Sequence, residues 1–383
     1  TNKKATISAR GSSRLRMLSL LDLGLRLEPR PAVLPRVLIL GDADFAYATA
    51  LTKRLQGAAT ILATSFEDED SLLVRYPHAA AAKVSLQSMG AHVRCGVDAR
   101  KLDALAGQSS WERIVFNLPQ SPPEPKARNQ IQRHRALLRD LCASCAAHLA
   151  PYGELWITLL AGQGGTPLDP VQRSSSGDTW MLQEQAASAG LLVHAVKDVD
   201  LKELEEVGYT ATGRRTNQPL GKRRKAKGMV LHVMTAARPE DGNNAPNSVA
   251  PLEWKFDNSF WLGDAVTEPT PAELFARCRD ALGPIGSLAL VDEPSLVDSY
   301  SRPEDGKRAR TYHFMYRSSV LPLSRDRALA LNAQVCAALA EDSALELRIP
   351  SQATIERLTD DEEAEAQPRE DQAVPMVEGS EAK

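Results

Sequence analysis

The chain has 383 residues, with 46 Lys and Arg set against 49 Asp and Glu for a formal net charge of −3. That length suits about two domains, each with material for its own core. No apolar run approaches the roughly 18 residues that a membrane-spanning helix needs, and five cysteines, an odd number in a long chain, point to reduced thiols rather than a secreted disulfide framework.

Residues 1–36 read as a basic arm. Lys3, Lys4, Arg10, Arg14, Arg16, Arg26, Arg30 and Arg36 stand against two acids, Asp22 and Glu28. Such a composition suits an organelle leader, a segment lying along RNA, or a disordered terminus. It favours a mitochondrial location over a nucleolar or cytoplasmic one. Leu18–Leu27 offers one or two amphipathic turns.

The next stretch, RVLILGDADFAYATA from Arg36 to Ala50, organises the first half of the chain. Val37–Leu40 is too short for a helix and ends at Gly41, so it reads as a buried strand. Gly41 removes the Cβ where a ligand would approach. Asp42 and Asp44 can cap a helix from Phe45 to Leu55 whose N-terminal amides face the turn. A strand, turn and helix in this order can hold a nucleotide-like ligand at the end of a parallel sheet, although a plain turn is the competing reading.

The segments then alternate. Thr60–Ser65 predicts a second strand followed by acids, of which Glu67 is placed to accept from ribose hydroxyls. A helix over Ser71–Met89 leads to a strand around His92–Val97, with Asp98 at its end to meet an adenine amine or cap a helix. Arg113–Phe116 predicts a fourth strand, and Asn117-Leu118-Pro119-Gln120 puts amide groups where a planar base could dock. A helix over about Asn129–Leu149 and a strand over Gly153–Leu160 come next, then a Gly- and Ser-rich loop, Ala161–Gly177, that reads as mobile or as a substrate lid. Trp180–Ala189 reads as helical, and Leu191–Val199 and Met229–Met234 close the sheet. The pattern is that of a doubly wound α/β domain over 37–238. Cys142 and Cys145 read as core residues one helical turn apart rather than as a zinc site, so no metal is expected.

Arg214, Arg215, Lys222, Arg223, Arg224, Lys225 and Lys227 form an acid-free run broken by Gly and Pro. It reads as a loop for phosphate contact, with a solvated face or a nuclear-localisation signal as alternatives.

The series GDADFAY (41–47), LATSFE (62–67), RYP (75–77), VDA (97–99), IVFNLPQ (114–120) and GELWITL (153–159), with a W-x5-A-x3-G-L pattern from Trp180, resembles the Rossmann-like methyltransferase family of the yeast 25S rRNA uridine-N3-methyltransferase. The resemblance implies S-adenosylmethionine as cofactor and ribosomal RNA as substrate. It implies Gly41, Asp42, Ala43 and Asp44 for the methionine part of the cofactor, Glu67 for its ribose and Asp98 for its adenine side. Asn117, Pro119 and Gln120 would then face the target base as the catalytic set. Four positions depart from the family pattern: Asp42 replaces a glutamate, Ala43 a glycine, Leu118 an aromatic residue and Gln120 a histidine.

Residues 239–250 read as a linker. Beyond it, strands at Trp254–Leu262, Ser287–Asp292, Arg310–Tyr316 and Ala344–Ile349 alternate with helices at Pro271–Leu282 and Ser324–Glu341, an α+β ferredoxin-like order. DNSFW (257–261), LVDEP (290–294), YHFMYRS (312–318), LPLSRD (321–326) and ELR (346–348) resemble the ferredoxin-fold anticodon-binding domain of phenylalanyl-tRNA synthetase β chains. That resemblance, over 251–350, implies contact with structured RNA through Arg310, Arg317 and the Arg302–Arg308 loop, or docking on protein. Residues 351–383 read as an acidic, disordered tail. The chain thus reads as an RNA-binding, S-adenosylmethionine-dependent rRNA methyltransferase. The alternative is a catalytically inactive assembly factor on a ribosomal particle, with tRNA a less favoured partner and no membrane involved.

Overall fold

The computed structural model describes residues 20–21, 23–25, 33–105, 110–121, 129–209, 212–213, 218–219, 228–263, 268–341 and 345–348. In the first domain these build β1 (Arg36–Leu40), α1 (Ala46–Leu55), β2 (Thr60–Thr64), α2 (Glu69–Arg75), α3 (Ala79–Ser88), β3 (His92–Arg94), β4 (Trp111–Asn117), α4 (Gln130–Ala146), β5 (Leu149–Leu160), α5 (Leu182–Ser188), β6 (Leu191–Asp198), α6 (Leu201–Glu206) and β7 (Met229–Ala236). The sheet order is β3-β2-β1-β4-β5-β7-β6. Its strands run parallel except β7, which is antiparallel to both β5 and β6.

The central strands are apolar on both sides because helices cover both faces. Val37, Ile39, Val115, Trp156 and Leu231 pack towards α1 and α3, while Leu38, Leu40, Ile114, Leu155 and Ile157 pack towards α4 and α5. Cys142 and Cys145 lie in this second core, and burial pushes the Cys142 thiol up to about 12.

Several expectations change. The helix predicted over Ser71–Met89 is two helices, α2 and α3, because Pro77 between them cannot donate to a continuing turn. Leu20, Leu21, Leu23 and Leu25 are buried in the first core. The Tyr47 hydroxyl donates to Leu20 O at 2.5 Å and Arg113 Nε to Leu23 O at 2.9 Å, so these four leucines belong to the domain rather than to a separate arm. The loop read as a lid is pinned. Asp169 Oδ1 accepts from Gly162 N at 2.8 Å and Val171 N at 3.0 Å, and Arg135 donates to the carbonyls of Ser176, Gly177 and Thr179.

The linker is ordered by both neighbours. Val249 N donates to Val193 O at 3.0 Å and Ser248 N to Ser319 O at 2.6 Å, and the Gln183 amide donates to Ala250 O. Beyond it come β8 (Glu253–Leu262), α7 (Pro271–Gly286), β9 (Ser295–Ser301), β10 (Arg308–Arg317), α8 (Arg325–Ala340) and β11 (Leu345–Leu347). They form an antiparallel sheet of order β9-β10-β8-β11. Thr270 and Glu273 close a capping box on α7. Phe260, Tyr312, Phe314 and Tyr316 meet Leu274, Cys278 and Val335 in a third core.

The strand expected at Ser287–Asp292 lies instead at Ser295–Ser301. The apolar run SLALVD forms a short 3-10 turn and a single bridge from Leu290 to Tyr316, burying Ala289 and Leu290 beneath the sheet's helical layer.

Candidate active site

The site forms where β1, β2, β4 and β5 end. Gly41 adopts φ +62°, and Asp42 N donates to Thr64 O at 2.9 Å, which ties the turn to β2. A Cβ on Gly41 would lie 2.5 Å from Phe116 Cε2, so the neighbouring ring and the backbone both demand glycine here. Phe45, in the left-handed region at φ 60°, turns the chain into α1. Ala43 is outside that region, so its Cβ carries no backbone strain.

The two aspartates cap α1. Asp44 Oδ1 accepts from Ala46 N at 3.0 Å and Asp42 Oδ2 from Ala48 N at 2.6 Å. The amides expected to face a ligand are thereby satisfied within the chain. Burial, with the Asp44 carboxylate adding to it, raises the Asp42 carboxyl to about 7 against the pull of the Ala48 and Tyr47 amides. The buried Tyr209 phenol is raised by desolvation and by both carboxylates.

Glu67 follows β2 and pairs with Arg75 Nη1 at 2.9 Å. Asp98 caps its own turn, accepting from Arg100 N at 3.0 Å and pairing with Arg100 Nη2 at 2.7 Å. Hydrogen bonding from Arg100 holds its carboxyl below the usual range.

The end of β4 differs. Leu118 sits at φ 50° with its N–H on Thr158 O at 2.8 Å, Pro119 is buried and Gln120 is exposed. Both polar atoms of the Asn117 side chain are buried and meet no hydrogen-bond partner among the described residues; the same holds for Ser65 Oγ and Thr158 Oγ1. Asn117 and Thr158 are register partners, and Leu40 pairs with Phe116. The register therefore sets the Gly41 turn, with Asp42 and Asp44, beside the end of β4, where Asn117 and Pro119 follow Phe116, and Glu67 lies beyond the adjoining β2. Unsatisfied buried polar atoms are costly and scarce in folded proteins, and the register partners Asn117 and Thr158 place three of them side by side at the end of β4. Sequence reasoning missed Ser65, Thr158 and Phe116. The available signal for the two hydroxyls was a polar residue at or near the end of an otherwise apolar run, Ser65 in LATS and Thr158 in WITLL.

In the second domain Arg310 pairs with Glu268 at 2.7 Å and Arg317 with Glu253 at 2.9 Å. Arg214, Arg215, Lys222, Arg223, Arg224, Lys225 and Lys227 lie outside the described residues, as does the 351–383 tail.

The strand order, its lone antiparallel β7 and the site at the carboxyl edge define the first domain as a Rossmann-like α/β fold. Residues 38–212 match the BMT5-like family, described as rRNA (uridine-N3-)-methyltransferase BTM5-like. The chain is 30% identical over 210 residues to human ferredoxin-fold anticodon-binding domain-containing protein 1, covering 54% of this chain and 32% of that protein. It is 31% identical over 249 residues to the mouse homologue, covering 64% of this chain and 37% of that protein. The chain thus spans about a third of the length of these two relatives. Among solved structures, it is 15% identical to the 16S rRNA methyltransferase KamB over 55% of this chain and 91% of that one, with a TM-score of 0.36.

Proposed function

We propose that the first domain transfers a methyl group from S-adenosylmethionine to N3 of a uridine in ribosomal RNA, with the second domain holding the RNA. The observation that carries this reading is the Asn117 amide, buried and without a hydrogen-bond partner among the described residues, at the strand ends of a domain that matches a uridine-N3 methyltransferase family. The residues present fit the cofactor: the Gly41 turn gives close backbone approach, while Glu67 and Asp98 offer carboxylates at the next two strand ends. When bound, S-adenosylmethionine supplies an electrophilic methyl group.

The chain's own task is to hold the uracil and spread its charge. N3 must give up its proton, to water since none of Asn117, Pro119 and Gln120 is a base, leaving negative charge on the ring until the methyl group arrives, and the Asn117 Nδ2–H is a donor prepared for that charge in a buried setting. Pro119 provides a rigid wall, and Gln120 offers an exposed amide to orient the base. Because Glu67 is engaged by Arg75, taking a ribose would require it to exchange partners.

Calorimetric titration with S-adenosylmethionine and S-adenosylhomocysteine tests the reading, followed by mapping of methylated uridine in ribosomal RNA treated with the protein. Micromolar binding and a new N3-methyluridine are expected. No binding at millimolar ligand would overturn it and favour an RNA-associated assembly factor, consistent with α1 amides already satisfied by Asp42 and Asp44.

A further inference from the structure

Between the Gly41 turn on one side and Leu231 on the other, two polar side chains stand next to each other at the carboxyl edge of the first sheet. β1 has already turned at Gly41, one step beyond the Leu40–Phe116 pair. Asn117 follows on β4, its register partner Thr158 on β5, and Leu231, the partner of Thr158, on β7. Val115 and Trp156, two residues back along their strands, pack in the first core, so Asn117 and Thr158 stand on that same face. The Leu118 N–H on Thr158 O at 2.8 Å ties the two strand ends together, and strands paired in this way lie about 4.8 Å apart. Thr158 is wholly buried. Neither its hydroxyl nor either polar atom of the Asn117 side chain meets a hydrogen-bond partner among the described residues.

We propose that Thr158 sets the orientation of the Asn117 amide and, through it, the preference of the site for uracil over cytosine. The inference rests on the methyltransferase reading and deepens it. A side-chain amide is ambidextrous: one end donates, the other accepts, and a half turn about its last bond exchanges them. Only the donor end suits uracil, whose carbonyl oxygens accept hydrogen bonds and gather charge once N3 has lost its proton. The neighbours decide which end faces the base. Gly41 and Leu231 bring no polar side chain, which leaves the Thr158 hydroxyl as the polar neighbour of Asn117 between them. Rotation of the Thr158 side chain so that its hydroxyl donates to Asn117 Oδ1 satisfies one donor and one acceptor, and it leaves both Nδ2 hydrogens for the base. The reverse pairing, Nδ2–H on the hydroxyl oxygen, strands the hydroxyl proton in a buried setting and turns Oδ1 towards the carbonyls it would repel. A buried donor left without an acceptor is the costlier state, so the first pairing prevails. With the amide held that way, cytosine would set its own amino donor against another donor, and the mismatch excludes it. Thr158 is a positioning residue: it acts through Asn117 and need not reach the base, in keeping with its burial.

The test uses the full chain and transcripts of the ribosomal RNA segment that carries the mapped uridine, made with uridine or with cytidine at that position. Transfer of a tritiated methyl group from S-adenosylmethionine is the readout. Thr158→Val keeps the shape of the side chain and removes the hydroxyl. It is expected to melt no lower than the parent and to bind S-adenosylhomocysteine within about two-fold of it. Uridine methylation should slow about ten-fold or more, and the ratio of uridine to cytidine rates should narrow by about ten-fold. Thr158→Ala, which also lacks the hydroxyl and asks for no extra room, is expected to match it in both. Thr158→Ser keeps the hydroxyl and is expected to hold rate and ratio within about three-fold of the parent. An unchanged rate and ratio in the two variants without a hydroxyl, or a Thr158→Ser protein as impaired as they are, would overturn the proposal. A parent that methylates no uridine in ribosomal RNA removes the methyltransferase reading and this inference with it, whereas a parent equally active on the uridine and cytidine transcripts removes this inference alone.

Discussion

Asp169 and His232 both border the space over Gly164: a Cβ on that glycine would lie 2.7 Å from His232 Nε2 and 3.7 Å from Asp169 Oδ2. His232 is wholly buried on β7, and burial lowers its imidazole to about 4. Its titration opposes that of Asp42.

Between about pH 4 and 6.5 the unfolded chain protonates His232 while the folded chain does not, so this residue makes stability rise with pH. Asp42 acts the other way. Its folded carboxyl, raised to about 7, keeps a proton that the unfolded chain has released, so stability falls as pH rises from about 4 to 7. Each slope is at most about 1.4 kcal/mol per pH unit. Urea melts across this range are expected to be nearly flat for the parent, to slope upward for Asp42→Asn and to slope downward for His232→Leu.

Gly41→Ala is expected to destabilise through two separable costs. The left-handed φ costs about 1–2 kcal/mol for a residue with a Cβ, and the ring contact with Phe116 adds to it. Adding Phe116→Leu should restore the second share only, measurable as a partial recovery of Tm.

Asn117→Leu separates stability from function. Removing an orphaned buried amide is expected to stabilise the fold by about 1 kcal/mol, since such a group costs roughly 1–3 kcal/mol. The same change should abolish methylation. Thermal melts and a uridine methylation assay on one preparation check both.

Ala43→Gly is expected to bring no gain in cofactor binding. Ala43 is outside the left-handed region, so the substitution only frees the unfolded chain, at a cost of about 0.5–1 kcal/mol. Calorimetry and melts of this variant read both effects.

Replacing Lys222, Arg223, Arg224 and Lys225 together by serine is expected to weaken RNA binding uniformly across sequences and to flatten the logarithmic salt slope by about three to four. Anisotropy titrations between low and physiological salt measure the change.

The β1–turn–α1 unit was legible because its signals are local: an apolar run, a glycine and two capping aspartates within nine residues of sequence, Val37 to Phe45. The β-α-β-β-α-β order was legible for the same reason, but β9 was not. It is an edge strand, largely exposed, whose polar alternation carries less hydrophobic signal than the neighbouring SLALVD. The role of Asp42 and Asp44 was half legible. Their proximity to the helix start was plain, but their occupation of the Ala46 and Ala48 amides depends on Phe45 entering the left-handed region. Leu20–Leu25 could not be assigned to the core from sequence, because its partners Tyr47 and Arg113 lie far along the chain.

The antiparallel β7 also sets an order of assembly. β6 touches the rest of its sheet only through β7, which comes after it in the chain, beyond residues 199–228. As the chain leaves the ribosome, β6 therefore emerges with no edge to join, and β5 presents an open one. Only when Met229–Ala236 slides between them are both edges closed, and Val249 then seals the Val193 carbonyl on β6. A nascent chain arrested before Ala236 would expose the unpaired β6 and the open edge of β5 at once, which makes this interval the one in which aggregation competes most strongly with folding.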